Sequence, residues 1–117
     1  RSIVATGARL VFGSDAPIES PDPWLGICAA VARHLPSDGR EPWTAGERLR
    51  FPAALAAYTS AAGAAAGHDD EGHLRPGARA DLAILDADLA TLLAAAERLG
   101  EVKATLTMVD GVEVHRS

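Results

Sequence analysis

The residues best suited to chemistry follow a short apolar run near the start of the chain. Residues 10–13 are apolar and stop at a glycine, and Asp15 comes two residues later. This pattern predicts a short buried strand with one carboxylate at its C-terminal tip. In α/β folds the loops that leave the carboxyl ends of parallel strands form the rim of the active site. Asp15 is therefore our candidate catalytic residue, and the alternative is an aspartate that only caps the following turn.

The four histidines are candidate metal ligands, but their sequence surroundings favour other roles. His34 lies near the end of a predicted helix, where a solvated or capping position is typical. His68 and His73 flank an acidic run at residues 69–71, which is either a metal cluster or, in our favoured interpretation, a solvated turn. His115 points outward from the last predicted strand. We expect no metal or cofactor site in this chain alone.

Other reactive or aromatic side chains have ordinary structural interpretations. Cys28 falls on the apolar stripe of a predicted helix, which is typical of a small core residue rather than a nucleophile. Ser14 precedes Asp15, but no histidine pattern accompanies it as a base. Trp24 and Trp43 are interpreted as core or loop anchors, with the border of a substrate pocket as the alternative.

Composition predicts a single thin core. Hydrophobic residues make up 48% of the 117 residues, but 25 of the 117 are alanine, which removes little surface from water when it is buried. The chain begins at Arg1 inside an apolar, helix-like stretch. We therefore expect a piece of a longer protein.

Charge and cysteine content limit the partners. The net charge is -5 and the basic residues are scattered, so we expect neither nucleic acid nor a membrane surface as a partner. No run approaches the length of a membrane span. Cys28 is the only cysteine, which excludes an internal disulfide and favours a reducing, cytoplasmic compartment.

The first half of the chain is predicted to be helical apart from the strand at residues 10–13 and loops at residues 17–23 and 37–44. Residues 1–8 are typical of the end of a helix, and Asp22 is a predicted N-cap with Pro23 at the first helical position. That helix has an apolar stripe and ends at a proline; the residues concerned are Trp24, Ile27, Cys28, Val31, Leu35 and Pro36. A second helix begins at Pro52, and Thr59 and Ser60 predict a break with a fresh N-cap for a helix at residues 61–66.

After residue 67 the periodicity changes from helix to strand. Pro76 and Gly77 predict a type II turn, and residues 80–86 predict a strand. A third amphipathic helix is marked by Leu89, Leu92, Leu93, Ala96 and Leu99 and ends at Gly100. Strands at residues 102–109 and 112–115 are joined by Asp110-Gly111, the strongest short signal for a hairpin.

Taken in order, these motifs resemble the C-terminal portion of a metal-dependent amidohydrolase of the urease-like superfamily, and more narrowly amidohydrolase family 3. The segments that carry the resemblance are Gly13-Ser14-Asp15-Ala16-Pro17, Asp22-Pro23-Trp24, residues 54–59, residues 72–86 and residues 107–114. One departure is His73, which stands where the family has a small serine or threonine.

The resemblance implies an architecture. Family members are (β/α)8 TIM barrels with a small composite β-domain. It identifies residues 10–13 as the last barrel strand, residues 1–67 as the end of the barrel and residues 68–117 as the C-terminal part of the small β-rich domain. As an isolated fragment the chain is expected to be α+β.

The resemblance also implies a chemistry. Family members use a divalent metal, here expected to be zinc, to hydrolyse carbon–nitrogen bonds of small non-peptide amides. Asp15 matches the aspartate that binds the metal, receives the proton of the attacking water and returns it to the leaving nitrogen. The nearby positive charge would keep that carboxyl ionised.

The family's His-x-His pair has no counterpart here. We therefore expect the chain alone to be inactive and without cofactor, and the metal to belong to the full-length parent. We also expect a homo-oligomer, because an unpaired barrel strand leaves backbone groups unsatisfied. If the strand does not pair, residues 10–13 should be disordered or pack as irregular coil against the helices. The alternative function is a free-standing α+β binding module without catalysis.

Overall fold

The computed structural model describes residues 1–34 and 39–117, with residues 91 and 92 described by their backbone only. The α-helices are α1 (Ser2–Ala5), α2 (Pro23–Ala32), α3 (Phe51–Tyr58), α4 (Ser60–Ala65) and α5 (Leu89–Leu93). Two short 3-10 helices lie at Ala45–Glu47 and Ala96–Glu101, and the strands are β1 (Leu82–Leu85), β2 (Ala104–Val109) and β3 (Val112–Arg116). Leu35, Pro36 and the side chain of Leu92, which were part of the predicted stripes, lie outside the described residues.

Helix α2 begins as its sequence predicts. The side chain of Asp22 accepts a hydrogen bond from the backbone N–H of Trp24 at 2.9 Å, and Pro23 occupies the first turn. This cap satisfies one of the free N–H groups at the helix start. The helix ends at Ala32 because Arg33 adopts a left-handed conformation with φ 65°.

The core lies between α2, α3 and the second 3-10 helix. Its buried members are Trp24, Ile27, Cys28, Ala32, Phe51, Ala54, Leu99 and Val102. Leu99 and Val102 thus share a core with α2, whereas the division into residues 1–67 and 68–117 stays a prediction. In the described residues no helix is long and apolar enough to cross a membrane.

The third predicted helix is broken, which corrects the sequence interpretation. Helix α5 stops at Leu93, and Ala95 has φ -136° and ψ 73° before the chain resumes as a 3-10 helix. The break brings Leu99 to a position with no exposed surface beneath α2. Burial of this leucine against the helix offsets the loss of α-helical hydrogen bonds at the break.

The predicted break at Thr59 is confirmed, but its cap is not. Thr59 separates α3 from α4 with φ -119° and ψ -100°. Its hydroxyl donates to the carbonyl oxygen of Leu55 at 2.9 Å rather than capping α4. A threonine hydroxyl reaches back to the preceding turn in this way when the local geometry allows it.

The three strands form an antiparallel sheet in the order β1-β2-β3. Asp110 and Gly111 form the hairpin turn with φ 52° and 78°, as a type I′ turn requires. The Asp110 N–H donates to the Asp81 carboxylate at 2.7 Å, which ties the hairpin to the start of β1. The turn at Pro76-Gly77 is also confirmed, since the Ala78 N–H donates to the Arg75 oxygen and Gly77 has φ 85°.

Residues 10–13 do not form the predicted strand. The sheet contains only β1 to β3, and no described strand pairs with this segment. Its Phe12 N–H donates instead to the carbonyl oxygen of Ala57 in α3 at 3.0 Å. The segment is therefore irregular coil packed on a helix, since a strand requires a neighbour for its ladder of hydrogen bonds. The α+β class is confirmed, and the barrel end stays an implication of the resemblance.

Candidate functional site

Asp15 projects from a tight turn at the surface. Its φ of 57° lies in the left-handed region, which aspartate tolerates better than most residues. Its carbonyl oxygen accepts the N–H of Ile18 at 2.9 Å, and Ser14 Oγ accepts the N–H of Ala16 at 3.3 Å. These two hydrogen bonds hold the turn, and Asp15 is exposed to solvent.

The turn is anchored through Phe12. Besides its backbone bond to Ala57, Phe12 places its ring edge-on to Tyr58, with the ring centroids 5.4 Å apart and the planes at 67°. Aromatic rings favour this geometry because the positive edge of one meets the negative face of the other. Tyr58 in turn packs against Gly26 in α2.

A small cavity of about 230 Å³ lies beside the turn. It is lined by Ser14, Glu19, Asp22, Leu25, Gly26 and Tyr58, among others. Asp22 is committed to its capping bond and to a contact of 3.6 Å with Lys103 Nζ. Ser14 is used as an acceptor within the turn, and no base contacts it in the described residues.

The histidines lie apart from Asp15 in separate surroundings. His68 Nδ1 is 3.7 Å from Glu71 Oε1, and that carboxylate also pairs with Arg79 at 3.1 Å. The acidic run is therefore a turn with exposed Asp69 and Asp70, in which Glu71 pairs with Arg79. His73 and His115 are exposed. His34 is partly buried, and its carbonyl oxygen lies 4.0 Å from the Cys28 sulfur.

The described residues do not by themselves fit a catalytic metal. Across residues 1–34 and 39–117 there is no group of three or more His, Cys, Asp or Glu that could hold an ion. A catalytic zinc needs three protein ligands and an open position. Asp15 contributes one carboxylate to that requirement.

Cys28 and the tryptophans have the structural roles that were favoured. Cys28 has no exposed surface, and desolvation by burial raises the pKa of its thiol. Trp24 belongs to the core. Trp43 is 74% exposed and anchors its loop, because the Arg33 guanidinium stacks 4.8 Å from the ring centroid and also donates to the Trp43 carbonyl oxygen.

Sequence reasoning missed the contact between Tyr58 and Gly26. Neither residue was singled out from the sequence. A glycine inside a helical pattern is itself a signal of close packing or of function. That signal identifies the position but not its partner, which comes from another helix.

A larger apolar cavity of about 590 Å³ separates the helices from the sheet. Its lining includes Trp24, Leu55, Tyr58, Leu82, Leu89 and Val102. Asp15 lines neither this cavity nor the smaller one. The larger cavity is therefore separate from the candidate catalytic carboxylate.

With this geometry established, comparison with known proteins decides the family. The model of the amidohydrolase family matches residues 1–115. This chain belongs to the amidohydrolase family. The resemblance inferred from the motif order is thus confirmed for almost the whole chain.

Three curated relatives are similar to this family member. The N-substituted formamide deformylase of Arthrobacter pascens is 31% identical over 116 residues, which cover 96% of this chain and 20% of the relative. The putative amidohydrolase YtcJ of Bacillus subtilis (strain 168) is 32% identical over 108 residues, which cover 91% of this chain and 20% of the relative. The protein LONG AFTER FAR-RED 3 of Arabidopsis thaliana is 38% identical over 86 residues, which cover 73% of this chain and 15% of the relative. The chain therefore spans a fifth or less of each relative. No solved structure matches it.

Proposed function

We propose that this chain is part of a hydrolase that cleaves the carbon–nitrogen bond of small non-peptide amides, with Asp15 as the catalytic carboxylate. The observation that carries the proposal is the amidohydrolase match over residues 1–115. Within this range Asp15 is exposed on a turn that is closed by the hydrogen bond from the Ile18 N–H to the Asp15 carbonyl oxygen. The relatives are about five times longer than the aligned segment. Activity is accordingly proposed for a longer polypeptide, and this chain alone is proposed to be inactive.

Asp15 is suited to carry a proton between water and a leaving nitrogen. Its exposed carboxylate oxygens can accept a hydrogen bond from water, and its backbone is held by the Ile18 hydrogen bond and by the Phe12 contacts. A positioned carboxylate of this kind contributes to catalysis by general acid–base transfer, on the order of 10²- to 10⁴-fold. The leaving amine requires a proton for departure, and the protonated Asp15 supplies it.

Amidohydrolases generally use divalent metals, and the donors described here do not suffice for one. We propose that most metal ligands belong to other parts of the complete protein, with zinc as the ion and Asp15 as one ligand. Lewis-acid activation of water and carbonyl would be supplied there. The steps assigned to this chain are confined to the proton at Asp15.

The name of the Arthrobacter relative suggests N-substituted formamides as the substrate class. The test is to incubate the complete purified protein with N-benzylformamide and to quantify benzylamine and formate. We expect the two products in equal amounts, with phenyl acetate and peptide substrates turned over far more slowly. Equal turnover by the 117-residue chain alone, or hydrolysis of esters but of no amide, would overturn the proposal.

A binding module without catalysis is the competing function, and the 590 Å³ apolar cavity favours it. The length of the encoding gene distinguishes the hydrolase from the binding module. A reading frame of several hundred residues supports the hydrolase, whereas one near 117 residues supports the binding module.

We also propose a homo-oligomer in the cytoplasm. Both edges of the three-stranded sheet are unpaired within the described chain, and every residue of β3 is exposed. Exposed strand edges are sites of association. A compact monomer in sedimentation at high micromolar concentration would contradict the oligomer. The buried, unpaired Cys28 is consistent with a reducing compartment.

A further inference from the structure

Asp15 is connected to the helices through Phe12, which packs against the buried core. Within the described residues, the segment from residue 9 to residue 14 has one backbone hydrogen bond to another element, from Phe12 to Ala57. Its one aromatic contact is the edge-on packing of Phe12 on Tyr58. Phe12 lies three residues before Asp15. Any shift of Phe12 is therefore transmitted over a short length of chain to the carboxylate.

Tyr58 also contacts helix α2, at Gly26. A Cβ atom added at Gly26 would overlap the Tyr58 hydroxyl and would lie 3.0 Å from Cζ and 3.2 Å from Cε2. Only glycine at this position lets the ring approach the helix so closely. Gly26 and Tyr58 also line the small cavity together with Ser14, the residue next to Asp15. The ring of Tyr58 thus contacts both α2 and residues 9–14, the segment that leads to Asp15.

We infer that Tyr58 is a positioning residue for Asp15, and that Gly26 is the residue that permits it. The inference rests on the proposed function, since it concerns the placement of the proposed catalytic carboxylate. An alanine at Gly26 would force the Tyr58 ring to move and would disturb its contact with Phe12, which leads to the Asp15 turn. A displacement of about 1 Å of a catalytic group costs up to about 100-fold in rate.

A merely structural role would look different in one respect. Gly63 in α4 is also closely packed, although less tightly than Gly26, since an added Cβ would lie 3.0 Å from the His68 carbonyl oxygen. Its neighbours, however, are the loop residues His68 and Glu71 rather than Phe12 or Tyr58. Gly63→Ala is therefore a control that perturbs packing without touching Tyr58 or Phe12.

The experiment uses the complete protein and the N-benzylformamide assay, with kcat, KM and Tm measured for each variant. We expect Gly26→Ala to lower kcat about 10- to 100-fold with KM changed less than twofold. Removing the hydroxyl in the double variant Gly26→Ala/Tyr58→Phe removes the most severe overlap, although the close approach to Cζ stays, and should recover part of the kcat lost in Gly26→Ala when both are compared with Tyr58→Phe alone. Gly63→Ala should lower Tm and leave kcat unchanged.

Two results would overturn the inference. One is wild-type kcat in Gly26→Ala, and the other is a double variant as slow as Gly26→Ala. If Gly26→Ala does not fold, Tyr58→Leu removes the ring contact without the overlap, and wild-type kcat in that folded variant has the same meaning. Asp15→Asn distinguishes failure of the proposed function from failure of this inference. Full activity in Asp15→Asn refutes the proposed function. An inactive Asp15→Asn together with normal activity in Gly26→Ala refutes only the role of Tyr58.

Discussion

The Cys28 Sγ atom in α2 lies 3.6 Å from the carbonyl oxygen of Ala96, the first residue of the second 3-10 helix. The carbonyl oxygen of Glu97 is 3.8 Å from the same sulfur. Carbonyl groups at the start of the 3-10 helix therefore face α2, where the thiol is a weak donor to them. This contact accompanies the burial of Leu99 and connects the break after α5 to the packing of the core.

Cys28 should be unreactive in the folded chain. Desolvation raises the pKa of its thiol above the usual 9.0, so the thiolate that attacks a disulfide reagent is scarce at pH 8. We expect labelling of the native chain by Ellman's reagent to be at least about 100-fold slower than in denaturant. Ser117→Cys is the control with an exposed thiol and should react at once. Rapid stoichiometric labelling of native Cys28 would contradict the buried position.

Leu99→Ala should destabilise the 117-residue chain by about 2–5 kcal/mol, because it leaves a cavity beneath α2. Leu93→Ala is the matched control. Leu93 is 51% exposed, so its truncation should change the free energy of unfolding by less than about 0.5 kcal/mol. Urea unfolding monitored by circular dichroism measures both. Equal effects of the two substitutions would show that the 3-10 helix does not pack as described.

Gly111→Ala should cost about 1 kcal/mol of stability. The cause is backbone strain at φ 78°, since an added Cβ would be at an ordinary 3.7 Å from the Ala80 Cβ. Gly46→Ala lies in a 3-10 helix without a positive φ and meets nothing within 4 Å, so it should be close to neutral. If Gly111→Ala proves equally neutral, the type I′ turn is wrong.

Glu47 provides a test of pH dependence. Hydrogen bonds from Ser2 lower its pKa to about 2, with the Ser2 N–H at 2.9 Å, the Ser2 hydroxyl at 2.7 Å and the terminal amine of Arg1 at 3.0 Å from the carboxylate. Because the folded pKa is depressed, the stabilisation is present above the usual pKa of 4.5 and is lost as the pH falls toward 2.

The measurement is the titration of the Glu47 carboxyl carbon by NMR in the 117-residue chain. Ser2→Ala removes the hydroxyl donor and should move the midpoint up toward 4.5. Ser20→Ala, whose hydroxyl oxygen accepts the Asp22 N–H instead, should leave the midpoint in place. A midpoint near 4.5 in the unsubstituted chain would show that Ser2 does not bond Glu47.

Local signals predicted local structure well. Asp22 with Pro23 and Asp110 with Gly111 each determine a cap or a turn within four residues, so no distant contact was needed. The strand at residues 10–13 failed for the opposite reason, because strand formation requires a partner that the described chain lacks. An apolar run has the same sequence pattern with or without that partner.

The same reason explains the remaining differences. The break at Ala95 depends on where Leu99 must lie in the core, and helical periodicity continues through it. The contacts of Tyr58 with Phe12 and with Gly26 join three segments that are separate in sequence. Asp15 could be identified as a candidate because its motif is local, whereas the contacts that hold it could not.

The most direct test is the kcat of Asp15→Asn in the complete protein acting on N-benzylformamide. The substitution keeps the size of the side chain and removes its ability to carry a proton, so we predict a fall in kcat of about 10²- to 10⁴-fold. Glu19→Gln removes another exposed carboxylate of the same loop and should retain wild-type kcat. Asp15→Asn within about threefold of wild type would contradict the assignment of Asp15 as the catalytic carboxylate.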